Sequence, residues 1–258
     1  MVAPPSASIP LPRGYIDGLI LANGTDSDHD INISTGECRD STNLFNLANT
    51  ATLVKQIDAA WAAGSAAGGL FSGAVGNATW YHVFLIRKDS DGTIDAGFDT
   101  SVSAANRPAG YSTYRRIGSV LTNGSANIIA FSQTNDLIML KSPAFDANAA
   151  AWGSSRTLVT LSVPTGVITY PKVAAFALKG ATSLSLWIGP PEVTDVAAGL
   201  GIYNSYTPSA GAATYSLAAG EVGVRANTSA QIAVRSDTAG VTGYLITYGW
   251  IDPRGKDA

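Results

Sequence analysis

Apolar and polar positions alternate along most of this chain with a period of two, the spacing of β-strands rather than helices. The clearest run is residues 79–87, Thr-Trp-Tyr-His-Val-Phe-Leu-Ile-Arg. As a strand it sends Trp80, His82, Phe84 and Ile86 to one side and Tyr81, Val83, Leu85 and Arg87 to the other. Both sides are apolar or aromatic, so the strand needs cover on both faces, inside a two-sheet core or against a partner chain. Asp91-Gly92 is a hairpin turn leading into a second strand over residues 93–101, and Asn123-Gly124 joins 117–122 to 127–133. Further strands are predicted at 16–21 and 30–34, with Asn23-Gly24 as a turn signal, and at 137–141, 156–163, 172–178, 184–188, 214–217, 222–226, 230–235 and 241–250. Short strands broken by Gly and Pro turns predict a mainly β chain, an antiparallel sandwich of jelly-roll type.

One segment breaks the period. Leu53, Val54, Ile57, Ala60 and Trp61 share a helical face, Asn49 or Thr50 is a candidate cap, and Gly64 a stop, so a single N-terminal helix is expected there. The Gly- and Ala-rich residues 62–76 read as a flexible connection. Four regions follow. Residues 1–14, with Pro4, Pro5, Pro10 and Pro12, form an extended arm; 15–76 a strand–helix region; 77–148 a first β region; and 149–258 a C-terminal sandwich. The boundary between the last two is placed in the small-residue stretch 146–155. Residues 189–213 form a link longer than the other connections, and no fixed-period repeat supports a propeller or β-helix.

Composition narrows the setting. Only 14% of the 258 residues are charged, against about 25% in an average soluble domain. Ser, Thr, Asn and Gly make up the difference. A surface of this kind suits an extensive subunit interface, where charge would have to be desolvated, or the exterior of a virion or secreted protein. The net charge is −3 and the 16 basic residues are scattered, which argues against a nucleic-acid partner. No run approaches the roughly 20 apolar residues of a membrane span, and the first residues lack the pattern of a signal peptide. The lone Cys38 excludes an intrachain disulfide and fits synthesis in a reducing cytoplasm.

Candidate chemistry is sparse. Asp26, Asp28, Asp30 and Glu37 fall at positions 1, 3, 5 and 12 of a calcium-loop template, with Ile33 at position 8. Ile31 occupies the position where the bend needs Gly, so a polar turn feeding a strand is expected and no metal is assigned. His29 and His82 do not share a zinc-binding pattern, no Gly-x-Ser-x-Gly elbow is present, and His82 is expected inside a sheet with its nitrogens satisfied. Asp95, Asp99, Asp136, Glu192, Asp195 and Glu221 could supply the two carboxylates of a glycosidase, as acids in almost any chain this size could. No catalytic residue and no cofactor are assigned. Trp187, Asp195, Tyr203, Asn204 and Tyr206 set aromatic faces beside amide and carboxylate groups, which suits carbohydrate; the competing reading is that these aromatics pack against the sheets or another subunit.

Several stretches together resemble a family of tail-associated structural proteins of tailed bacteriophages and prophages. They are Tyr15-Ile16-Asp17-Gly18-Leu19, Asp30-Ile31-Asn32-Ile33 with Gly36, and Ala59-Ala60-Trp61-Ala62-Ala63-Gly64 with Gly68-Gly69-Leu70. The most specific are Thr79-Trp80-Tyr81-His82-Val83-Phe84, Asp95-Ala96-Gly97-Phe98-Asp99-Thr100-Ser101, and Pro108 to Tyr111 followed by Arg115-Arg116-Ile117-Gly118-Ser119. The ending from Thr247 to Gly255 extends the likeness across nearly the whole chain. The resemblance implies a virion component made in the host cytoplasm: a β-rich, homotrimeric tail fibre or receptor-binding protein. Other tail or baseplate proteins and a host surface polysaccharide would be its partners. Family members are often longer, with an upstream attachment region. That leaves open a whole small fibre, a baseplate or head appendage acting as an adaptor, or one module of a larger protein; a polysaccharide-depolymerising spike is a further alternative. Arg115 or Arg116 is expected to be buried and paired with Asp95 or Asp99.

Overall fold

The computed structural model describes residues 11–179, 184–198, 205–207, 213–218 and 224–256, and among these the chain is all β, with no helix. Among the described residues, no helix is therefore long and apolar enough to cross a membrane. Residues 1–10 of the expected arm lie outside the described residues.

The expected N-terminal helix is a correction. Residues Leu53–Ala60 are a strand, β6, with Leu53, Lys55 and Ile57 inward and Val54, Gln56 and Asp58 outward. Two features hid the alternation: a lysine on the buried face and a valine on the outer one. β6 lies in a seven-stranded sheet of order β10 (Thr113–Leu121), β8 (Trp80–Arg87), β9 (Ile94–Asp99), β7 (Ala67–Leu70), β6, β3 (Asp30–Ile33) and β2 (Leu21–Asn23). The sheet is nearly closed, and the Leu21 side chain from β2 reaches Gly118 on β10. The stretch expected to be a flexible connection contains β7, which pairs in parallel with both β6 and β9.

Parallel neighbours usually need a crossover of a dozen or more residues; β6 and β7 are joined by residues 61–66 alone. The return is folded tightly under the sheet. Lys55 Nζ donates to the carbonyls of Ala62 (2.7 Å) and Gly64 (3.0 Å) and pairs with Asp95 (3.2 Å). A Cβ at Gly68 would sit 2.0 Å from the Ala60 carbonyl, so only glycine permits this approach.

The double-faced strand predicted at 79–87 is β8, and it is covered on both sides. Tyr81, Val83 and Leu85 belong to the main core, while Phe84 and Ile86 form a second cluster with Ala104 and Tyr111. The second cover comes from the chain itself: the connection between β9 and β10 supplies Ala104 and Tyr111, Trp61 and Phe71 pack beside them, and Trp80 on the same side meets Trp250 edge-on, 5.3 Å between ring centroids. The Asp91-Gly92 hairpin joins β8 to β9 as expected. Beside this sheet, β1 (Ile16–Gly18), β4 (Gly36–Arg39) and β5 (Asn46–Asn49) form a three-stranded sheet, whose Cys38 and Leu47 are fully buried in the main core.

The rest of the chain builds two sheets that pack on one another. A five-stranded antiparallel sheet runs β11 (Phe131–Thr134), β12 (Leu137–Trp152), β19 (Val241–Ile251), β14 (Tyr170–Lys179), β17 (Ala213–Ala218). A four-stranded sheet runs β13 (Thr157–Thr160), β18 (Gln231–Ser236), β15 (Leu184–Gly189), β16 (Ser205–Thr207). Val173, Ala175, Val241 and Leu245 of the first meet Leu184, Leu186, Ile232 and Val234 of the second in the same core. The stretch read as an interdomain loop is the second half of β12. That strand continues to Trp152 through three register shifts against β19, so it runs unbroken past residue 148. The seven-stranded sheet likewise draws strands from both sides of residue 76.

Candidate functional site

β10 buries both Arg115 and Arg116, 1% and 7% exposed, on its two faces: Arg115 stands opposite Leu85 and Arg116 opposite Phe84. A β-bulge between Arg116 and Gly118 follows them, leaving Ile117 without a partner on β8. Arg116 is fully engaged. Its Nη1 and Nη2 grip the Asp252 carboxylate at 2.9 and 2.5 Å, Nη2 also donates to Ser119 Oγ (2.8 Å), and Nε donates to His82 Nδ1 (3.1 Å). Two donors thus meet His82 Nδ1, since the Ser119 hydroxyl lies 2.8 Å from it. The ring proton therefore resides on Nε2, which reaches the Thr165 backbone carbonyl. Burial first, and then the Arg116 charge, press the His82 pKa down to about 4. Burial opposes ionisation of Asp252, yet the Arg116 charge and hydrogen bonds and the Arg254 amide outweigh it and hold the carboxyl below its ordinary range.

A third arginine fastens the chain end to this network. Arg254 Nε donates to the carbonyl of the bulge residue Ile117 (2.9 Å), and its Nη2 donates to those of Gly18 (2.8 Å) and Leu19 (2.6 Å). Arg115 differs from both. Its Nε donates to the Arg254 carbonyl (3.1 Å) and Nη2 to that of Gly14 (3.2 Å), while Nη1 has no hydrogen-bond partner among the described residues. Burial lowers the Arg115 pKa from its ordinary value.

Above these arginines lies a pocket of about 390 Å³. Tyr114, Arg115, Arg116 and Asp252 line it together with Ser41, Val102, Ser103, Pro253, Gly255 and the 166–168 turn. Burial pushes the nearby Cys38 thiol up to about 12, so it stays neutral and inert. Ser119 and His82 do not make a catalytic pair: the hydroxyl is 2% exposed, accepts from a guanidinium, and the histidine's far nitrogen meets a carbonyl rather than a carboxylate.

One of the two arginines was expected to be buried and both are, but the expected partners are elsewhere. Asp95 pairs with Lys55 and accepts from the Gly64 and Ala96 amides. Asp99 holds the following loop through the Ser101 and Asn106 amides. The true partner of Arg116, Asp252, is 136 residues away, with no local signal to mark it. Among the proposed glycan residues, Trp187 is half-buried with its indole over Gly189, and Asp195 is paired with Arg235 at 2.7 Å. Arg235 is the cross-strand partner of Trp187, so these two candidates meet on one face of the four-stranded sheet. The backbone of Tyr206 pairs with Ser185; Tyr203 and Asn204 lie outside the described residues.

The calcium-loop candidates do not converge. Asp26 accepts from His29 Nδ1 (2.9 Å) and the Asp28 amide, Asp28 accepts from Asn127, Asp30 opens β3, and Glu37 faces Asp17 across β1 and β4. No cluster of three His, Cys, Asp or Glu fit to hold a metal occurs among the described residues. Of the acids considered for hydrolysis, Asp136 is taken by Lys256, Glu192 by Arg225 and Asp195 by Arg235, while Glu221 is outside the described residues. In comparisons with known proteins, no family model, no curated protein and no solved structure matches this chain.

Proposed function

We propose that this chain is a structural component of a tailed-phage virion, made in the host cytoplasm: a homotrimeric tail fibre or receptor-binding protein that contacts a host-surface glycan without cleaving it. The resemblance of its central motifs motivates the reading, and an all-β chain with 14% charged residues is in keeping with it. The observation that carries it is an apolar groove on the outer face of the five-stranded sheet, formed by Phe145, Phe176, Leu178, Tyr244 and Ile246. Phe145 is 65% exposed there. An uncharged face of this kind is expensive to leave in water and is suited to a second copy of the same chain. In this reading the five- and four-stranded sheets are the two layers of an antiparallel, jelly-roll-like sandwich.

A second reading, an adaptor in the baseplate or head appendage without receptor binding, is favoured by one observation. Trp187 packs on Gly189 and Asp195 is held by Arg235, so these two glycan candidates are already engaged. Labelled protein incubated with intact host cells, before and after periodate oxidation of surface sugars, separates the two. Binding that periodate abolishes supports the receptor-binding reading. Absence of cell binding by a trimeric preparation supports the adaptor.

A further inference from the structure

We infer that Asn123 is a site of spontaneous deamidation, converted to aspartate and isoaspartate by water and the chain's own Gly124 amide, and that Asn23 in the same dipeptide is protected. The inference does not depend on the virion reading. Asn-Gly occurs twice in the sequence, at 23–24 and at 123–124. Glycine carries no Cβ to obstruct the path from its amide nitrogen to the asparagine side chain, so both pairs are candidates by chemistry. The fold treats them differently. Gly24 N donates to the Asp30 carbonyl at 2.8 Å, and a Cβ placed on Gly24 would sit 2.6 Å from that of Asp30. The Asn23 side chain is tied at both ends, Nδ2 donating to the Ser27 carbonyl (3.0 Å) and Oδ1 accepting from the Phe131 amide (3.2 Å). Attack at its Cγ requires this part of the hairpin to open first.

At the second pair nothing has to open. Asn123 and Gly124 are exposed, and neither the Gly124 amide nor Asn123 Nδ2 has a hydrogen-bond partner among the described residues. A Cβ on Gly124 would meet nothing within 4 Å. The Asn123 side chain is held only through Oδ1, which accepts from the amides of Ser125 (2.8 Å) and Asn127 (3.1 Å). Those two donors polarise the Cγ carbonyl and stabilise the negative charge that gathers on Oδ1 during attack. The step balances with water alone. Hydroxide removes the Gly124 amide proton, the nitrogen bonds to Cγ, and the Cγ–Nδ2 bond breaks as ammonia leaves with a proton from water. A cyclic imide remains. Water opens it at Cγ to give aspartate, or at the main-chain carbonyl to give isoaspartate. The new carboxylate stands in a turn whose Asn127 donates to Asp28 at 3.2 Å, so the product brings a second negative charge to that corner.

The test holds the full, folded chain at mildly alkaline pH and follows both sites by peptide mapping with mass spectrometry, where the conversion adds about 1 Da. Asn123 is expected to react at least about tenfold faster than Asn23, and faster still as pH rises, because the attacking nitrogen must lose its proton. In concentrated denaturant, where both dipeptides are free, the two rates should converge to within about twofold. Gly124→Ala is the decisive variant. The turn has room for the methyl group, so Tm should hold while the rate at residue 123 falls at least about tenfold, the Cβ now hindering the amide's approach. Asn23 reacting as fast as Asn123 in the folded chain, a rate at Asn123 unmoved by Gly124→Ala, or an Asn123 that reacts only in denaturant would each overturn the inference.

Discussion

At the scale of single residues, the buried network around Arg116 makes two contrasting predictions. Arg116→Met leaves the fully buried Asp252 without its counter-ion and strips partners from Ser119 and His82. A loss of about 3–5 kcal/mol is expected, as for removal of one member of a buried pair. Arg115→Met removes an unpaired buried charge along with two hydrogen bonds to carbonyls, so its loss should be smaller by about 2 kcal/mol. Urea unfolding of both variants decides the order; equal losses would mean that Arg115 has a counter-ion too. His82 sets the pH dependence. Its folded pKa of about 4 lies below the ordinary 6.5, so between these values the unfolded chain binds a proton that the folded chain refuses. Stability should therefore fall as pH drops from 6.5 towards 4, by about 3 kcal/mol in all. Asp252, its carboxyl held low, adds a loss of the same sign at still lower pH. His29 works in the opposite direction, since Asp26 raises its pKa, but it lies at the surface and its effect is screened. His82→Gln should flatten the slope between pH 6.5 and 4.5 in equilibrium unfolding; a slope unchanged in that variant would assign it to other groups.

At the scale of elements, the buried lysine of β6 is the feature to test. Lys55 is 0% exposed and holds two carbonyls of the six-residue return to β7 as well as Asp95. Lys55→Met keeps the side-chain volume but leaves Asp95 without its cation and the two carbonyls without a donor. A loss of about 3 kcal/mol is expected, with faster amide exchange concentrated in residues 61–70 in hydrogen–deuterium exchange. Uniform exchange across the sheet would show that the clamp does not hold the crossover. The same residue explains why the sequence misled here. Strands with regular alternation or two apolar faces were legible almost to the residue: β8, β15, β18 and β19 match their expected spans within one position. β6 was not, because its inward lysine is satisfied by groups that come together only in the fold. β7 was hidden because Gly68 and Gly69 have no side chains to show alternation, yet both are needed, one against the Ala60 carbonyl and the other under the Phe98 ring. The second half of β12 was hidden by its alanines, its register shifts and the outward Phe145. The site was legible in part: burial of one of Arg115 and Arg116 was expected, whereas the burial of both and the pairing with Asp252 required long-range topology.

At the scale of the whole molecule, the low charge and the outer face of the five-stranded sheet bear on the same question. β19 turns Tyr244, Ile246 and Tyr248 to one side, β14 adds Phe176 and Leu178, and β12 adds Phe145. Side chains on such a face contribute by area removed from water, about 25 cal/mol per Å², and this area lies unused in a lone chain. If copies pack there, native mass spectrometry should give a mass near three times 26.5 kDa. Phe145→Asp should return the mass to that of one chain, because a carboxylate in the middle of the face must be desolvated without a partner. Its 65% exposure means that the same change leaves the core of the single chain intact, so Tm measured at low concentration should hardly move. A wild-type monomer would remove self-association from the proposed function. A trimer that survives Phe145→Asp would place the interface on another face and leave this one for a different partner.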